Sequence, residues 1–145
     1  MTALAKTRPT ASITRDAALA LNAAARRAAH DIGIAVTIAV TDAAGHLVAF
    51  ERGDAAPFLT ADVAIDKAWT AASFGLPTHA WNALLANDAI AQLAHRPRLV
   101  AVGGGAPVVV DGRVVGGIGI SGGNAAQDQQ AAEAALESLG FEVKR

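Results

Sequence analysis

The sequence predicts an α+β domain in which helices cover an antiparallel sheet. Three observations carry that reading. Apolar, β-branched runs come in pairs joined by short turns: Ile34–Thr41 with His46–Glu51, and Pro107–Val110 with Arg113–Ser121. Strands joined so tightly pair antiparallel. Amphipathic stretches of helical length flank and separate these pairs. Alanine supplies much of the 52% apolar content while aromatics are only 4%, so helices are expected to lie close on their neighbours.

The elements follow in chain order. Residues 1–12 read as a loose, flexible N-terminal tail, and 13–145 as a single domain. Arg15–Ile32 is a helix with Thr14 as N-cap and Gly33 just past its end. Ile34–Thr41 is a buried strand, Asp42-Ala43-Ala44-Gly45 a turn, and His46–Glu51 the returning strand. After a loop around Gly53 and Pro57, Thr60 caps a second helix that runs to Phe74, where Gly75-Leu76-Pro77 stops it. Trp81–Ala94 reads as helical and Pro97 breaks the chain. Leu99–Val102 is strand-like, and Asp111-Gly112 marks a two-residue hairpin between the last two strands. A final helix ends near Leu139 with Gly140 beyond it.

Bulk composition narrows the function. A net charge of −1 gives no reason to expect nucleic acid or an anionic membrane surface as partner. The absence of cysteine excludes disulfides, thiolate metal sites and a cysteine nucleophile. No apolar run approaches the ~20 residues of a membrane span, and no signal segment follows Met1, so a cytoplasmic location is expected. The excess of apolar residues in a chain of 145 suggests self-association.

Several residues are candidates for chemistry. Glycines crowd Val100–Gly123, which opens directly onto the last helix. Gly119–Asn124 can therefore receive an anion on backbone N–H groups at a helix N-terminus, or else these glycines simply allow close packing. Asp62 and Asp66 share a helix face. Lys67 has Val63, Ala64, Thr70 and Ala71 as helical neighbours, none acidic; it either snorkels to solvent or is buried as a base, nucleophile or anion clamp. Arg52 can grip a carboxylate or form a surface pair with Asp54. Among the four histidines no zinc spacing exists; His79, in a loop beside Trp81, is the metal-ligand candidate, for an iron or a haem. Ser121 lies outside any GxSxG motif and reads as a capping or anion-binding hydroxyl.

The blocks VTDAAGHLVAFER, DKAWTAASF, GGGAPVVVDG and GISGGNAAQD, in this order across residues 12 to 140, resemble the GlcG/HbpS family, which includes the C-terminal domain of PduO cobalamin adenosyltransferases. The resemblance implies a profilin-like three-layer α/β/α fold with a five-stranded antiparallel sheet, and homo-oligomers, often octamers. It implies haem or a related tetrapyrrole as ligand. Carried over by motif, Asp42, Arg52, Asp62, Lys67, Gly103, Gly104, Gly105, Ser121, Gly122, Gly123 and Asp128 line or support one pocket. The alternative is a cofactor-independent lyase, isomerase or tautomerase acting on a small carboxylate or carbonyl compound. In it Lys67 and Arg52 clamp the substrate and Asp62 or Asp128 carries the proton.

Overall fold

The computed structural model describes residues 3–145, so the first two residues of the expected tail lie outside it. Residues 3–14 form neither helix nor strand, but the end of this segment is pinned. Ile13 N–H donates to Val115 O at 2.9 Å, and Ser12 Oγ accepts from Ala43 N–H at 3.0 Å.

Nine elements follow: α1 (Arg15–Asp31), β1 (Thr37–Asp42), β2 (Leu47–Arg52), α2 (Leu59–Phe74), α3 (Ala80–Leu85), a 3-10 turn (Ala91–His95), β3 (Gly105–Val110), β4 (Arg113–Ser121) and α4 (Ala125–Ser138). The sheet is antiparallel with strand order β2-β1-β4-β3. Helices α1 and α4 pack together on one face and α2 lies on the other.

The two faces are built differently because side chains alternate along each strand. Ile38, Val40, Ile118 and Ile120 point to α1 and α4, where they meet Ala18, Leu21, Ala25, Ala132 and Leu136 in the main core. Ala39 points to α2 and packs on Ala64 and Ala68. On that side β4 presents Gly117 and Gly119, and a Cβ on either would run into the carbonyl oxygens of Ala68 and Ala64. These glycines let a helix backbone rest directly on a strand backbone. For this part of the glycine-rich stretch, close packing is the use the fold makes of it.

The expected five-stranded sheet is corrected to four strands. Leu99–Val102 is not a strand, because its backbone is tied to α2 instead. Thr70 Oγ1 donates to Arg98 O at 3.0 Å and accepts from Val100 N–H at 3.1 Å. Beyond the β3 edge the C-terminal tail adds an isolated bridge, Val109 to Glu142.

Three local expectations shift as well. Strand β1 starts at Thr37 rather than Ile34. Thr60 does not cap α2; its hydroxyl is spent on Pro57 O at 2.6 Å and on Thr37 Oγ1 at 2.7 Å. The helix expected over 81–94 ends at Leu85, where Asn87 Oδ1 accepts from Ala89 N–H and turns the chain. No helix among the described residues is long and apolar enough to cross a membrane.

Candidate functional site

Lys67 rises from α2 into the protein and is only 2% exposed. Its Nζ donates to Ile120 O at 2.8 Å and to Asp128 Oδ2 at 3.2 Å. Asp128 lies in the first turn of α4, where the helix dipole favours a carboxylate. Its other oxygen, Oδ1, accepts from Gly123 N–H at 2.8 Å. Asn124 and Gln127 complete the helix start as a reciprocal capping box. Burial lowers the affinity of Lys67 for its proton, and the attraction of Asp128 offsets only part of that.

Gly104 closes over this pair. With φ of +124° it occupies a conformation that L side chains rarely adopt, and a Cβ there would lie 2.6 Å from Lys67 Nζ and 2.8 Å from the Asp128 Cβ. Gly104 N–H donates to Gln129 Oε1 at 2.8 Å. Next to it, Thr78 Oγ1 donates to Val102 O at 2.6 Å and accepts from Gly105 N–H at 2.8 Å. The segment 102–105 is thus tied to both α4 and the start of α3.

On the outer side of this segment runs a groove of about 620 Å³. Gly103, Ala125, Ala126 and Ala134 make a smooth wall, and His79, at the start of α3, stands exposed on the groove beside Asn82. Further along α4 come Gln129, Glu133 and Glu137, with Arg145 paired to both glutamates. Gln129 Nε2 is buried and finds no partner in the fold. Leaving such a donor unmet costs about 1–3 kcal/mol.

Lys67, Asp128, Gly104 and Gly123 therefore meet in one buried cluster, and Gly105 and Gly103 adjoin it. His79 lies on the groove at the outer side of the same segment, its Cβ 3.6 Å from where a Gly103 Cβ would sit. Ser121 is buried at the end of β4, opposite Thr37 in register. Gly122 follows it into the α4 capping loop at a φ of +144°. Arg52 pairs with Thr37 on the far side of β1, where its Nη1 donates to Ala56 O at 2.8 Å rather than to Asp54. Asp62 is exposed on α2, whereas Asp66 pairs with Arg98 at 2.9 Å. Asp42 sits at the opposite end of β1, where Oδ1 accepts from Ala44 N–H and His46 N–H, both at 2.9 Å, and holds the turn. Asp42, Arg52 and Asp62 form no hydrogen bond or ion pair with the buried cluster.

Gln129, which accepts from Gly104 N–H, and the Ile120 carbonyl, which accepts from Lys67, are parts of this arrangement that residue-by-residue reading passed over. Gln129 carried one signal, its place one residue after Asp128 in the first turns of α4. A carbonyl carries none. No group of three or more His, Asp or Glu among the described residues is arranged to hold a metal ion.

The model of the family described as haem degrading protein HbpS-like matches residues 13–137. GlcG of Escherichia coli K12 is 37% identical over 109 residues, which is 75% of this chain and 81% of GlcG. A double mutant of Streptomyces reticuli HbpS superposes with a TM-score of 0.86 at 33% identity, covering 97% of this chain and 96% of the other. A complex of PduOC with haem superposes with a TM-score of 0.85 at 26% identity, covering 92% and 99%.

Proposed function

Because this chain belongs to the GlcG/HbpS family of HbpS-like proteins, we propose that it binds a small planar ligand, haem or a related tetrapyrrole, in the groove between α3 and α4. The observation that carries this reading is the pairing of a smooth wall with an exposed imidazole. Gly103, Ala125, Ala126 and Ala134 offer a surface without projecting side chains, against which a flat macrocycle can lie. His79, exposed on the same groove, is the side chain that would hold the iron of such a ligand. A relative solved with haem supports the choice of ligand.

The residues fit the group in kind. Haem would bring the redox-active iron, and the protein's part is to bind and orient it. His79 would hold the iron. The alanine wall would exclude water from one face of the ring. Thr78 holds the 102–105 segment in place through Val102 O and Gly105 N–H, and so keeps the wall in register with α3.

Self-association belongs to the same reading. Phe58, Leu59 and Phe74 are 86%, 67% and 67% exposed, more bulky apolar surface at the two ends of α2 than a lone domain usually leaves open. Sedimentation of the purified protein tests it, and a monomer at working concentration removes it.

Titration of metal-free protein with hemin, followed by visible absorption, tests the ligand. A saturable, shifted Soret band supports the reading. Its absence would move the assignment to the enzyme alternative, a cofactor-independent reaction on a small carboxylate or carbonyl compound.

A further inference from the structure

We propose that segment 82–97 is a hinged arm that closes over the groove once the ligand is seated, and that Arg98 anchors its far end. The proposal rests on the tetrapyrrole reading above and names the part of that site which moves.

The segment is built as a self-contained excursion. Outside the turns of α3, its hydrogen bonds reach no further than His79 at one end and Leu99 at the other. No residue in it is buried, and none joins either hydrophobic cluster packed on the sheet. Its acidic and basic side chains form no ion pair with another element. Displacing such a run uncovers little apolar surface and breaks no long-range hydrogen bond, so the fold opposes its motion weakly.

Both ends, by contrast, are fixed. Trp81 is buried and meets Phe74 edge-on, with ring centroids 5.1 Å apart. Just before it, Thr78 ties the chain to Val102 O and Gly105 N–H. At the other end Arg98 is held by three residues on one face of α2. Its Nε donates to Asp66 Oδ1 at 2.9 Å, its Cζ lies 4.5 Å from the centroid of the Trp69 ring, and its carbonyl accepts from Thr70 Oγ1 at 3.0 Å. Arg98 has a φ of +72°, a left-handed conformation that a bulky residue seldom adopts, and these contacts hold it there.

The arm leaves the body of the fold at the groove itself, where Asn82 stands beside His79. On the α3 side these two residues are the whole lining, whereas α4 supplies a continuous wall. One face of a flat ligand is therefore covered and the other is not. Leu84 and Leu93, both exposed on the arm, are the apolar side chains that closure would bring over the open face. A loosely held run between two fixed points, rising from the rim of a site, is the construction of a closing loop.

Amide hydrogen exchange read by mass spectrometry, with and without hemin, tests the motion. In the free wild type the amides of 82–97 should exchange about tenfold or more faster than those of α2 and α4, and hemin should slow them about tenfold. Stopped-flow release of hemin to a haem scavenger then tests the anchor in Arg98→Ala and Asp66→Asn, with thermal melts confirming that each is folded. Arg98→Ala should release hemin about fivefold faster while its bound Soret band stays that of the wild type, because His79 is unaltered. Asp66→Asn keeps the contact with Trp69 and should fall between. Arm amides as slow as those of α2 in the free protein, hemin protection confined to α4 and 102–105, or wild-type hemin release in a folded Arg98→Ala overturns the proposal, while His79-dependent hemin binding would still stand. Failure of the wild type to bind hemin overturns the tetrapyrrole reading and this proposal with it.

Discussion

Lys67 Nζ and Asp128 Oδ2 lie 3.2 Å apart, with neither side chain more than 3% exposed. Lys67 comes from the helix on one face of the sheet and Asp128 from a helix on the other, so the pair joins the two outer layers past the end of β4. Each partner has a second contact: the Lys67 ammonium also donates to Ile120 O, and the second Asp128 oxygen accepts from Gly123 N–H. A pair this closed holds the site together; the open surface lies at the groove outside it.

Removing one partner should therefore cost much more than removing both. Lys67→Met leaves the Asp128 carboxylate buried without its counter-charge, and should destabilise the fold by about 3–5 kcal/mol. Lys67→Met combined with Asp128→Leu should recover a large part of that loss. Urea denaturation of the three proteins checks it, and a double variant no more stable than the single one would contradict the ion-pair account.

Burial lowers the proton affinity of Lys67 relative to the unfolded chain. Between the lowered native value and the ordinary lysine value the unfolded state binds more protons, so stability rises with pH across that window. The burial penalty is complete below the native value and is relieved as pH climbs toward the ordinary value of about 10.4. Urea midpoints measured at increasing alkaline pH should show this upward contribution in the wild type and lack it in Lys67→Met.

Gly117→Ala and Gly119→Ala should each push α2 off the sheet, because the added methyl meets the backbone of Ala68 or Ala64 and a carbonyl cannot rotate aside. Losses of about 1–3 kcal/mol or more are expected for overpacking of this kind. Denaturant midpoints measure them, and wild-type stability in both variants would show that the helix does not rest on the strand.

Thr78→Val keeps the shape of the side chain but strips the partner from Gly105 N–H and Val102 O. It should cost about 1–3 kcal/mol and weaken hemin binding by loosening the groove wall. A variant that loses stability while binding hemin as well as the wild type would separate the 102–105 segment from the ligand site.

Much of the fold was legible because local rules decide it. Thr14 and Asn124 cap their helices as their residue types suggest, and the Asp111-Gly112 turn joins β3 to β4. Leu99–Val102 misled because its apolar pattern suits a strand, while the hydroxyl of Thr70, in α2, takes over its hydrogen bonds. Lys67 could be singled out but its surroundings could not: helical spacing reveals partners three or four residues away, and Asp128 is 61 residues distant. Asp42 rests on matched motifs alone and Arg52 and Asp62 on residue chemistry as well, and neither kind of reading states which side chains meet. Gln129 stayed hidden because the group its amide oxygen meets, Gly104 N–H, lies 25 residues away.

If the groove holds haem as proposed, His79, exposed on it, is the residue that holds the iron. Hemin spectra of the wild type and of His79→Ala, each with and without added imidazole, test it most directly. The account predicts a saturable Soret shift in the wild type, a weaker and altered band in a folded His79→Ala, and recovery of the wild-type band when imidazole is supplied. An identical Soret band and affinity in His79→Ala would contradict it.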